Sequence, residues 1–117
     1  VSMPSPENLQ RAPQWETYIV TQTVRATLGL IPEHALAVGV EIRGAKIKLL
    51  FQLTEVSAED ETDMDDILSE LEANVGQNVE VECAYEIRQQ RKVLPGARGG
   101  IWWVYLARVD EDPATPL

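Results

Sequence analysis

The residues with the most chemical potential in this chain are carboxylates. From Glu55 to Glu82 there are eleven acids and no base; from Ile87 to Val109 there are five bases, Arg88, Arg91, Lys92, Arg98 and Arg108, and no acid. On a helix turning about 100° per residue, Glu59, Asp63, Asp66 and Glu70 form one row, and Glu61, Asp65 and Glu72 flank it. Such acids serve three chemistries. A calcium loop is the first, but Asp63, Asp65 and Asp66 lack the turn glycine, and a helix spreads them around its axis. Acid–base hydrolysis is the second, and it needs a carboxylate desolvated in a cleft, whereas this row is expected to be wet. Capture of a cationic partner is the third. Like-charge neighbours at i,i+4 cost roughly 0.2–0.5 kcal/mol each. Acids in the first turn recover some of that at the positive helix end, but Glu70 and Glu72 do not. The row reads either as a plain solvated face or as a docking face for cations, where it would mainly raise association rate and selectivity.

Other reactive side chains are few. Cys83 alternates onto the apolar side of a strand and is expected to be a buried, inert thiol. His34 follows Gly29, Pro32 and Glu33 and is expected in a surface link. The glycines between Pro95 and Gly100 lie between two strands rather than before a helix, so they make no phosphate loop. Arg88–Arg98 beside Trp102 and Trp103 resembles a nucleic-acid finger, since bases stack on aromatics. Strand alternation, however, lets only one of the two tryptophans face any surface. No spacing assembles nucleophile, base and orienter, so the chain is expected not to be an enzyme. No cofactor and no metal site are expected.

The elements that position these residues follow from periodicity. Gln14–Leu28 places Trp15, Tyr18, Ile19, Gln22 and Ala26 on one helical face, with Val24 and Leu28 beside it. Gly29 and Pro32 stop this helix. Leu36, Val38, Val40 and Ile42 share one strand face, and Ile47, Leu49, Phe51 and Leu53 share another, with a tight turn at Gly44. Ser57 and Asp60 begin the second helix as a capping box. Its apolar stripe is Met64, Ile67, Leu68, Leu71 and Val75, and Gly76 ends it. Val79 to Ile87 and Ile101 to Val109 are the last two strands. The expected fold is an α+β two-layer sandwich in αββαββ order, with a four-stranded antiparallel sheet under two helices. Ile101, Trp103, Tyr105 and Val109 are expected to face the helices. Trp102, Val104 and Leu106 would then face outward and join Leu50 and Ala84 in an apolar patch.

A chain of 117 residues is one domain, expected over 14–109. Residues 1–13 and 110–117, proline-bearing and aperiodic, are expected to be flexible extensions. Nineteen acids against ten bases leave a net charge of −9, which argues against nucleic acid and anionic membranes as partners of the whole surface. No segment is apolar enough to cross a membrane, and no basic-then-apolar leader pattern occurs, so a cytoplasmic location is expected.

The order of features resembles a family of small acidic bacterial immunity proteins that accompany contact-dependent inhibition and polymorphic toxins. The resemblance spans residues 14–111. It is carried by Gly29-Leu30-Ile31-Pro32 before Ala37-Val38-Gly39-Val40, by Phe51 at a strand end, and by the helix start Ser57-Ala58-Glu59-Asp60. Val79-Glu80-Val81-Glu82 and Val104-Tyr105-Leu106-Ala107-Arg108 before Asp110 complete it. This chain departs in its long polar ends and in a longer, more basic connection from Gln89 to Gly100. The resemblance implies a binding surface and no catalytic residues.

Two functions follow as expectations. One is an immunity protein that neutralises a cognate, cationic, nuclease-like toxin. Glu59, Asp63, Asp66 and Glu70 would steer the partner, and Trp102 would be the desolvated anchor. The other is a regulatory domain that homodimerises through the open face of the sheet.

Overall fold

The computed structural model describes residues 12–93 and 100–109. Of the expected extensions at 1–13 and 110–117, residues 1–11 and 110–117 lie outside these residues, and residues 12 and 13 belong instead to the first helix. Two helices, α1 (Ala12–Thr27) and α2 (Ala58–Val75), pack on one face of a sheet built from β1 (Ala35–Arg43), β2 (Lys46–Leu53), β3 (Glu80–Ile87) and β4 (Ile101–Leu106).

Helix α1 forms although its sequence is rich in β-branched residues. Its threonines satisfy their hydroxyls by bonding back to the preceding turn: Thr21 Oγ1 donates to Thr17 O and Thr23 Oγ1 to Ile19 O, both at 2.8 Å. That bond lets Thr23 lie fully buried. The inward face is therefore Trp15, Ile19, Thr23 and Ala26; Val24 and Leu28 stay exposed, and Gln22 is only half-buried. The Trp15 indole donates to Gly44 O at 2.8 Å, fixing the helix start against the β1–β2 turn. Tyr18 OH donates to Asn74 O at 3.2 Å, tying α1 to the end of α2.

Strands β1 and β2 form the expected antiparallel hairpin, with Gly44 at φ 59° opening a two-residue loop whose left-handed φ suits hairpin twist. The helix side of the hairpin is Val38, Val40, Ile47, Leu49, Phe51 and Leu53, against Ile19, Met64, Ile67 and Leu71. A bulge at Leu36 alters the start of β1: Ala35 pairs with Leu53 and Ala37 with Gln52, so Ala35 rather than Leu36 joins the helix-side cluster, although Leu36 is also buried.

The sheet departs from the expected antiparallel one. Its order is β3-β2-β1-β4; β4 pairs antiparallel to β1, and β3 pairs parallel to β2. Helix α2 is thus the crossover between two parallel neighbours. The last two strands lie at opposite edges and form no hairpin. The described start of the connection after β3 lies over the face opposite the helices, where Gln52 Nε2 donates to Lys92 O at 2.5 Å and Lys92 N donates to Gln52 Oε1 at 2.9 Å. The Arg91 guanidinium donates to Ala107 O just past β4. The described part of the basic segment is a strap across the sheet.

The facing of β4 also departs. Tyr105 pairs with Val38 and Trp103 with Gly39, so Val104 is an extra, bulged residue. A bulge reverses the alternation on one side of it. Tyr105 and Leu106 keep their expected faces, inward and outward. Trp103 and Ile101 turn instead to the open face, and Trp102 turns to the helix side beside Val40. Gly39 makes this packing fit: a Cβ there would stand 2.8 Å from the Trp103 ring and 3.1 Å from Ile101 Cγ2. Val104 packs against the core. The expected patch of Leu50, Ala84, Trp102, Val104 and Leu106 is therefore not assembled. Among those five, Leu50, Ala84 and Leu106 share the open face, now with Trp103 and Ile101.

Candidate functional site

The outer side of α2 carries the acid row. Glu59, Asp66 and Glu70 are exposed and Asp63 is half-exposed; Glu61, Asp65 and Glu72 are exposed beside them. Among the described residues none of these seven carboxylates has an ion-pair partner. Ala58, Glu59, Thr62 and Asp63 line a shallow depression at the start of the row. The helix can bear this charge because its opposite stripe, Met64, Ile67 and Leu71, is buried, and burial of such side chains contributes roughly 1.5–3 kcal/mol each.

Trp102 does not join the row. It is 37% exposed on β4, which packs with α1, whereas α2 packs with α1 and β3 at the other edge. The structure brings the four acids together and leaves the proposed aromatic anchor apart from them.

One acid of α2 behaves differently from the rest. Asp60 is 1% exposed and anchors a cluster that joins the α1–β1 link to the start of α2. Ser57 N and Ser57 Oγ donate to Asp60 Oδ2 at 2.8 and 2.9 Å, and Ser57 Oγ accepts from Asp60 N at 3.1 Å, which completes the capping box. The His34 ring Nδ1 meets the same Oδ2 at 2.6 Å, and His34 N donates to Oδ1 at 3.4 Å. On its other side, His34 Nε2 stands 2.8 Å from the exposed Glu55 Oε1. The imidazole is held between two carboxylates.

The charges respond accordingly. Burial works to raise the Asp60 carboxyl. Hydrogen bonds from the Ser57 backbone, the His34 ring and the Ser57 hydroxyl outweigh it and hold the group at about 2. The hydrogen bond to Asp60 raises the His34 imidazole above its ordinary value; desolvation opposes this, and the charges of Asp60, Glu55 and Glu33 add to it. Asp60 stands between the serine hydroxyl and the imidazole, so Ser57 gives its proton to the carboxylate. That order differs from a nucleophilic relay, in which the imidazole stands between the other two. What the cluster does is clamp: it ties Asp60, the third residue of α2, to a link 26 residues earlier.

Sequence reasoning placed Asp60 in a cap and His34 in a surface link but did not join them. The available signal was the aspartate at the third helical position. Its shorter side chain, in place of Glu or Gln, sits closer to the backbone and can be buried with a second partner. Cys83 is exposed, against expectation, because β3 is an edge strand that α2 covers only in part. Desolvation and the charge of Asp65 raise its pKa and keep it a thiol.

Among the described residues no set of three or more His, Cys, Asp or Glu side chains converges to hold a metal ion, and no helix is long and apolar enough to cross a membrane. No protein-family model matches the chain, and no curated protein matches its sequence.

Proposed function

We propose that this protein is an immunity-type inhibitor that acts in the cytoplasm by binding a cationic, nuclease-like toxin domain. The observation that carries this reading is the row Glu59, Asp63, Asp66 and Glu70, held on a rigid helix without a compensating base among the described residues. Grooves that bind nucleic acid are lined with Lys and Arg, and a fixed row of carboxylates meets the same field that phosphates meet. While the acids stay exposed, each pair adds roughly 0–1 kcal/mol, so their main work is steering.

The dimer reading receives less support. The open face of the sheet is crossed at Gln52 by the strap, and Trp103 fills the space above Gly39.

The test uses the reading frame next to this one. Where it encodes a secreted protein with a basic C-terminal module, that module should arrest growth when expressed alone. Co-expression of this protein should restore growth. Changing Glu59, Asp63, Asp66 and Glu70 together to Gln should slow association roughly tenfold or more at low ionic strength and flatten its salt dependence. An unchanged association rate would remove the steering role, and no protection would remove the immunity reading.

A further inference from the structure

Strand β3 is an edge with nothing paired to its outer side among the described residues. It runs eight residues in regular parallel register with β2 alone. Glu80 N and Arg88 N donate inward, to Ala45 O and Leu53 O, each at 2.8 Å. Peptide direction alternates along a strand, so the amides of Glu82, Ala84 and Glu86 also point toward β2. Those of Val81, Cys83, Tyr85 and Ile87, with their carbonyls, point away from the sheet. Natural edges of this length are blunted by bulges, prolines or charged side chains; β3 has neither bulge nor proline, and its charges, Glu80, Glu82 and Glu86, are all of one sign, so they repel acidic strands and not basic ones.

The two faces of β3 specify what would fit. On the open face stand Glu80, Glu82 and Glu86. Behind them the rows read Arg43 to Lys46 to Glu80 and Glu41 to Lys48 to Glu82, so both rows end in a carboxylate at β3 and a strand added beyond it would meet acids that favour cations. On the helix side Cys83 is exposed, Tyr85 is 53% exposed and Ile87 is 57% exposed, which suits apolar side chains at alternate positions. A second copy of this chain fits poorly, because pairing β3 with itself on this face sets glutamates opposite glutamates.

We infer that β3 is a docking edge for an extended segment of a basic protein, one that alternates Lys or Arg with apolar residues and adds to the sheet as a further strand. The inference rests on the cationic-partner reading of α2 and deepens it by naming the mode of contact.

The experiment needs no toxin, so its failure is distinct from failure of the immunity reading. The probe is a short peptide alternating lysine with valine, compared with a peptide of equal composition whose lysines are contiguous. Binding is followed by titration and by amide hydrogen exchange on the full chain. The alternating peptide should slow exchange at Val81, Cys83, Tyr85 and Ile87 about tenfold and leave α2 unchanged. N-methylation of the peptide amides that face β3 should weaken binding about tenfold or more, and methylation of the others should change it little. Tyr85→Pro, which removes one outward donor, should abolish the protection while circular dichroism stays native. Equal binding of both peptides, or indifference to which amides are methylated, would overturn the inference. So would strand-like protection of those four amides in the free protein, because the edge would then already be covered.

Discussion

At one edge of the sheet, β4 runs six residues with a bulge at Val104; at the other, β3 runs eight in unbroken register. The short edge uses two of its three aromatic residues in packing. Trp103 covers Gly39, Tyr105 packs against the core, and Arg91 fastens the strap to Ala107. The long edge leaves Tyr85, Ile87 and three glutamates in water. The difference teaches that one edge strand is bulged and packed down on β1 by its own side chains, while the other is regular and attached to the body through β2 and α2. Stability should therefore concentrate around α2's anchor and β4, and association around β3 and the α2 row.

The largest effect should come from Asp60, which holds the start of the helix leading into β3. Asp60→Ala removes a buried carboxylate that caps α2 and holds the half-buried Ser57 and His34 donors, and should cost about 2–4 kcal/mol in chemical denaturation. A loss below about 1 kcal/mol would mean that β3 and α2 do not depend on this clamp.

Next in size is the β4 edge. Gly39→Val drives a side chain into the Trp103 ring and should cost about 1–3 kcal/mol, with a shift in tryptophan emission. Trp103→Ala should fall in the same range because the ring is half-buried. On the open edge, Tyr85→Ser and Ile87→Ser should each stay within about 0.5 kcal/mol of the parent. Equal costs at the two edges would erase the comparison.

The pH dependence tests the clamp without cutting it. His34 has a raised pKa, so its stabilisation is fully present below the unfolded value near 6.5 and is lost as pH rises through the folded value. Asp60 is lowered to about 2, so its stabilisation is present above the unfolded value near 3.8 and is lost as pH falls through about 2. The two overlap between these unfolded values. His34→Gln should flatten the alkaline arm of the stability profile and leave β4 variants unaffected. An unaltered arm in His34→Gln would show that the imidazole does not couple to folding.

The smallest effect on folding should come from the acid row. Removing like charges with Gln at Glu59, Asp63, Asp66 and Glu70 should hold stability or raise it by several tenths of a kcal/mol. A clear loss would mean that the row supports α2 itself.

The six elements and their order were legible in the chain because they rest on short-range physics. The stripe of Met64, Ile67 and Leu71 has helical spacing, the hairpin alternates with a glycine at its turn, and Ser57 and Asp60 lie within one cap. The acid row followed from the same helical spacing, which leaves Glu59, Asp63, Asp66 and Glu70 opposite the buried stripe. Tertiary structure alone decided the rest. Whether β3 and β4 pair or take opposite edges depends on where α2 carries the chain and on a connection long enough to cross the sheet. The facing of Trp102 and Trp103 turns on one bulged residue, Val104, and on the space that Gly39 leaves across the strand, and alternation in a single strand contains neither. The clamp of His34 on Asp60 joins residues 26 apart, and that distance closes only when both helices have settled on the same face of the sheet.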